Sequence, residues 1–157
     1  MGKKPAEVVE GSHDVRTVEE EKEISTFLGR DNITYNAMPP EFCDKILGTD
    51  GVYYYRNGHI RSEEDLDKLT LPDPTKDESY EAAEKFVENK NDFAACAVSR
   101  LGLASTYLSL GMQNFFIQVN ENPPFVIEVL KRYKEWEKAT LERLCEIGFD
   151  FLWICRS

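Results

Sequence analysis

Apolar residues recur along this chain in two periods, and the two periods alternate. In "NPPFVIEVLKRYKEWEKATLERLCEIG", Val126, Val129, Tyr133, Trp136, Thr140, Leu144 and Ile147 follow one another at steps of three and four, the stripe of an amphipathic helix. Asn122 precedes the stripe as a cap, prolines fill its first turn and Gly148 follows it, so both ends are marked. Residues 77–91, "DESYEAAEKFVENKN", repeat the pattern with Tyr80, Ala83, Phe86 and Val87. "FAACAV" at 93–98 and "FDFLWI" at 149–154 are instead continuous apolar runs, which suit parallel strands covered on both faces. Helix, buried strand, helices and buried strand make the βα alternation of an α/β protein with right-handed crossovers.

The remaining segments are shorter. "VEEEKEISTFL" predicts a short helix, and "MPPEFCDKILG" another, with prolines at its start and Gly48 past its end. "GVYYYRNGHI" predicts a tyrosine-rich strand entering an Arg-Asn-Gly turn. "SEEDLDKL" opens with Ser62 and Asp65 at capping-box spacing, and the prolines of "LPDP" enforce an extended crossing after it. "GMQNFFIQVNEN" predicts a further helix after Gly111. Residues 1–25 are polar and acidic, an expected mobile arm, which leaves 26–157 as one domain.

Charge narrows the partners. Lys plus Arg number 19 against 29 Asp plus Glu, and a net charge of −10 opposes the phosphate neutralisation on which nucleic-acid binding depends. The apolar runs fall well short of the roughly 20 residues of a membrane span. Cysteines 43, 96, 145 and 155 are widely spaced, as reduced thiols of a cytoplasmic protein would be. No glycine-rich phosphate loop, nucleophile elbow or clustered Ser-His-Asp order is present.

The succession "NGHIRSEEDLDKLTLPDP", "STYLSLGMQNFF" and "NENPPFVIEVLKRYKEWEKATLERLCEIGFDFLW" resembles the uroporphyrinogen decarboxylase superfamily, which includes corrinoid- and coenzyme M-linked methyltransferases. The resemblance covers about residues 40–155. It implies a (β/α)8 barrel with its active site at the carboxyl ends of the strands. Such a barrel takes about 250 residues, and four strands are expected here, near "NITY", "VYYY", "FAACAV" and "FDFLWI". The chain is thus expected to be the N-terminal half of a barrel, inactive alone, whose last strand offers an unpaired edge to a partner chain or to a second copy. A non-catalytic subunit completing a barrel with a partner is the alternative function.

The resemblance also implies site residues. "TYLSLG" reproduces the decarboxylase spacing of an active-site tyrosine with Tyr107, although a tyrosine there serves equally as a core residue bonded locally. "EFCDKIL" offers Asp44 for the aspartate that holds pyrrole N–H groups; the alternative is a solvated carboxylate. Arg100, directly after "FAACAVS", stands where a barrel places ligand-binding groups and could meet a carboxylate or phosphate, or form a surface ion pair. Two departures stand out. Only Arg16 and Arg30 occur in residues 1–40, where true decarboxylases carry an arginine-rich grip for eight carboxylates. The zinc site of the methyltransferase branch has no counterpart either, since His13 and His59 lie apart from any cysteine, and His59 reads as an exposed loop residue. The expected ligand is a tetrapyrrole or a corrinoid-borne methyl group, with no cofactor or metal bound by this chain; zinc and corrinoid belong to a complete methyltransferase-type parent.

Overall fold

The computed structural model describes residues 16–49, 53–100 and 102–155, with only the backbone of Cys155. The protein is mixed α/β, and its described residues divide into two compact units, the first within 16–38, 73–99 and 138–155, the second within 39–72 and 100–137. Residues 1–15 of the expected arm lie outside the described residues. From Val18 the chain is helical.

In the first unit, α1 (Val18–Leu28) starts on a capping box, the Thr17 hydroxyl accepting from the Glu20 N–H while the Glu20 carboxylate accepts from the Thr17 N–H. Gly29, at φ +67°, closes it in the left-handed region. Strand β1 (Asn32–Asn36) then runs parallel to β4 (Ala94–Arg100), Asn32 opposite Ala94 and Asn36 opposite Val98. The buried Glu21 of α1 secures this start: its carboxylate accepts the Thr34 N–H at 3.0 Å and the Arg16 guanidinium at 2.7 Å.

Strand β5 (Phe151–Cys155) joins the sheet, in the order β1-β4-β5. Asp150 pins its entry, donating its N–H to the Ala95 carbonyl while its carboxylate accepts the Ala95 N–H and the Lys90 ammonium. Small residues in β4, with Ala95, Cys96 and Ala97 all buried, let the neighbouring layers approach closely. Helix α2 (Glu81–Glu88) closes over them with Tyr80, Ala83 and Phe86 inward, and Phe86 meets the Tyr35 ring edge-on at 5.3 Å.

The second unit contains the antiparallel hairpin of β2 (Cys43–Leu47) and β3 (Tyr53–Gly58), a 3-10 turn (Glu63–Lys68), α3 (Leu103–Leu110), α4 (Met112–Glu121) and α5 (Pro123–Ile147) as far as Glu137. Its core gathers Ile60, Leu110, Phe125, Val129 and Tyr133. The predicted stripe of α5 holds over the whole helix, with Val129 and Tyr133 buried in this unit and Thr140 and Leu144 buried in the first.

Two expectations are corrected. "MPPEFCDKILG" contains a strand, not a helix: Phe42 and Ile46 suit helical spacing, yet the Tyr53–Gly58 backbone supplies a ladder for Cys43–Leu47 that sequence-local propensity cannot register. "VYYY" accordingly pairs with β2, so three strands and not four form the parallel sheet, which among the described residues is open. No helix among the described residues is long and apolar enough to cross a membrane.

The hairpin end fits closely against the junction of α3 and α4. A Cβ at Gly58 would lie 2.0 Å from the Gly111 nitrogen and 2.5 Å from the Ser109 carbonyl oxygen, both rigid backbone. Gly58→Ala is therefore expected to cost about 1–3 kcal/mol or more, as overpacking does. Urea unfolding would show it as a lowered midpoint at unchanged slope.

Candidate functional site

Four residues from distant parts of the second unit form one buried chain of hydrogen bonds. The Phe42 N–H donates to Ser109 Oγ at 2.9 Å, Ser109 Oγ lies 2.7 Å from Tyr133 Oη, and the Tyr133 hydroxyl donates to the Pro40 carbonyl at 3.0 Å. Because Tyr133 gives its proton to Pro40, the Ser109 hydroxyl must donate to Tyr133, and the direction of the chain follows. The segment 40–42 is thereby tied to α3 and α5, and the residues after it inherit a fixed start.

Two polar clusters issue from that segment. In the first, Glu41 receives Arg100 at 3.7 Å and Lys45 at 3.5 Å, with Arg100 and Glu41 both mostly buried. The Lys45 ammonium also lies 5.3 Å from the centre of the Tyr55 ring, its cross-strand partner. Burial first and Glu41 second raise the Tyr55 hydroxyl above the usual phenol range, so it remains a proton donor at neutral pH. Burial, followed by Glu41, also raises the Cys43 thiol, which disfavours a thiolate nucleophile there.

The second cluster is built by a β-bulge. The register passes from Asp44 opposite Arg56 to Cys43 opposite Gly58, leaving Asn57 unpaired at φ +47°. Asparagine tolerates that left-handed conformation better than most residues. Its Nδ2 donates to Asp44 Oδ2 at 2.9 Å, and His59 Nε2 lies 2.9 Å from Asp44 Oδ1. The His59 bond first, and the Asn57 bond second, hold the exposed Asp44 carboxyl below its ordinary range. An ionised Asp44 only accepts, so His59 Nε2 carries the proton and Nδ1 holds the lone pair of the neutral ring.

The sequence-derived candidates are thus separated. Asp44 belongs to the bulge cluster and Arg100 to the Glu41 cluster. Tyr107, on α3, is half-buried and meets the Phe115 ring edge-on at 6.2 Å, while its neighbour Thr106 donates to the Gly102 carbonyl within the helix. Sequence reasoning passed over Glu41, Asn57 and Tyr55 and left His59 as a loop residue. Reading Cys43–Leu47 as a strand opposite Tyr53–Gly58 would have brought His59 and Asp44 together. Among the described residues, no three His, Cys, Asp or Glu side chains converge to hold a metal.

No protein-family model, no curated protein and no solved structure matches this chain.

Tyr133 offers the check on the buried chain. Burial is the main cause that raises its hydroxyl well above the phenol range; the Ser109 bond opposes the shift, and the Glu41 and Cys43 charges add to it. An unfolded tyrosine ionises near pH 10, whereas the folded one stays protonated beyond it. Its contribution is thus complete below pH 10 and lost as pH rises through the folded value. Tyr133→Phe should cost about 1–3 kcal/mol at neutral pH, because it leaves the Pro40 carbonyl and the Ser109 hydroxyl without their partner. The variant's stability should also fall less steeply than the parent's above pH 10, as measured by denaturant unfolding across pH.

Proposed function

We propose that this chain carries part of a (β/α)8-type barrel of the uroporphyrinogen decarboxylase superfamily, with a cytoplasmic tetrapyrrole or a corrinoid-borne methyl group as substrate. The observation that carries this reading is Arg100, a mostly buried guanidinium ending the buried strand β4, which runs parallel to β1. Ligand groups of barrel enzymes sit at the carboxyl ends of such strands. Glu41 holds Arg100 in place, and a substrate carboxylate would share it through the forked donors of the guanidinium.

In decarboxylation, the carbon–carbon bond to the departing carboxylate breaks and its electron pair flows into a protonated pyrrole ring. Carbon dioxide leaves, and a proton then adds to the carbon. Arg100 would orient a substrate carboxylate. Asp44, kept anionic in the other cluster, and Tyr107, packed on Phe115, stand apart from it and take no part in this step.

Arg16 and Arg30 are both engaged by Glu21 or Ser25, at 2.7 Å and 3.1 Å for the closest bonds. That weighs against a grip on eight carboxylates and favours a substrate with fewer. With no three His, Cys, Asp or Glu side chains converging, the described residues do not fit a zinc site.

A specific observation favours the non-catalytic reading as second. Strand β5 is a sheet edge whose Trp153 is 62% exposed, with Phe151 and Ile154 also exposed, the character of an edge that pairs with another chain. Binding separates the two. Quenching of intrinsic tryptophan fluorescence by uroporphyrin or by methylcobalamin should saturate, and Arg100→Gln should weaken it about tenfold, the worth of one charge-assisted contact. Absence of saturation with both probes, or an Arg100→Gln variant that binds as the parent does, would reject the superfamily reading in favour of the second.

A further inference from the structure

The bulge cluster opens onto a depression of about 560 Å³ lined by Phe42, Asp44, Asn57, His59, Arg61 and Lys68. We propose that this depression binds a small phosphate- or carboxylate-bearing ligand, its oxyanion received by Arg61, Lys68 and the His59 ring that Asp44 orients. The inference rests on the hairpin geometry alone and stands whether or not the superfamily reading does.

Three observations carry it. Arg61 is anchored at one nitrogen, its Nε donating to the Gly58 carbonyl at 3.2 Å, so the guanidinium is positioned while its two terminal nitrogens remain for a ligand fork. Lys68 is drawn in by Asp65, whose carboxylate also accepts the Arg61 and Ser62 N–H groups at 2.8 and 3.3 Å. That ties the two cation-bearing residues to one short turn. The strained backbone at Asn57 is the third: a bulge with φ +47° aims Asn57 and His59 at the same carboxylate, the usual work of bulges beside binding sites.

Charge decides what is bound. The polar groups around His59 are Asp44 from β2, Asn57 from β3, Arg61 beyond it, and Lys68 from the 3-10 turn with Asp65 bonded to it. Arg61 and Lys68 balance Asp44 and Asp65, in a chain of net charge −10. A protonated His59 tips the balance to positive, and both its ring nitrogens then donate, Nε2 to Asp44 and Nδ1 to the ligand. An oxyanion therefore binds the imidazolium form.

The chain contains only two histidines, so the ring signals of His59 can be followed by NMR with His13 as internal reference. The full chain would be titrated with sodium phosphate, and separately with sodium acetate, at constant ionic strength. Saturable movement of the His59 signals is expected, and Arg61→Gln should weaken binding about tenfold. Tighter binding of phosphate would assign a phosphate ester as ligand, and tighter binding of acetate a carboxylic acid. His59 signals that move no more than those of His13 in either arm would overturn the proposal on the parent protein alone. Undiminished binding by a folded Arg61→Gln variant would overturn it as well.

Discussion

The second unit depends on a polar chain in an apolar place. Phe42, Ser109, Tyr133 and Pro40 share two buried hydroxyls among Ile60, Leu110, Phe125 and Val129. An unpaired hydroxyl in such surroundings costs more than a made bond returns, so the arrangement tolerates few alternatives. Apolar contacts alone would let α3, α5 and the 40–42 segment slide past one another with little loss. The directional chain removes that freedom, because a shift of one residue would leave both hydroxyls and the Phe42 N–H without partners.

Close backbone approach makes the same demand sterically. The His59 N–H donates to the Phe42 carbonyl at 2.8 Å and the Ile60 N–H to the Ser109 carbonyl at 2.9 Å, and the backbone at Ser109–Gly111 comes this close because Gly58 has no side chain to stand in the way. Ser109, whose side chain orders the start of β2, is thus also the residue whose carbonyl receives the chain just after β3. Hairpin register and helix position are fixed together, and the bulge at Asn57 is the adjustment that lets the strand reach that contact.

What could be read from the residues follows from the range of the interactions. The stripe of α5 repeats over seven turns and survives any local error, and the small apolar run of β4 admits few uses besides a covered parallel strand. Strand β2 has five residues, too few to separate a period of 2 from one of 3.6, and its partner lies across a turn. Helix α3 escaped because "LASTYLSL" mixes serines and threonine into its buried side: Ser105, Thr106 and Ser109 look polar, yet all three are buried. The site was legible only in pieces. Asp44, Arg100 and Tyr107 could be singled out one by one, but the partners that give two of them a setting are set by pairing and packing. Ser109 reaches Phe42 across 67 positions of sequence, a relation no local pattern contains.

One strand serves both polar clusters. Successive residues of a strand point to opposite faces, so Lys45 joins Glu41, Arg100 and Tyr55 while Asp44 joins Asn57 and His59. Neither cluster could hold its geometry by its own contacts, since Asp44, Lys45 and His59 are exposed and ion pairs at a surface contribute little. Their order is borrowed from Phe42, whose N–H is committed to Ser109 and whose carbonyl is committed to His59. The chemistry of the exposed face therefore depends on hydrogen bonds anchored by the buried Ser109 and Tyr133. A substitution at Ser109 or Tyr133 would disturb charged groups that it never touches, through the backbone between Pro40 and Asp44.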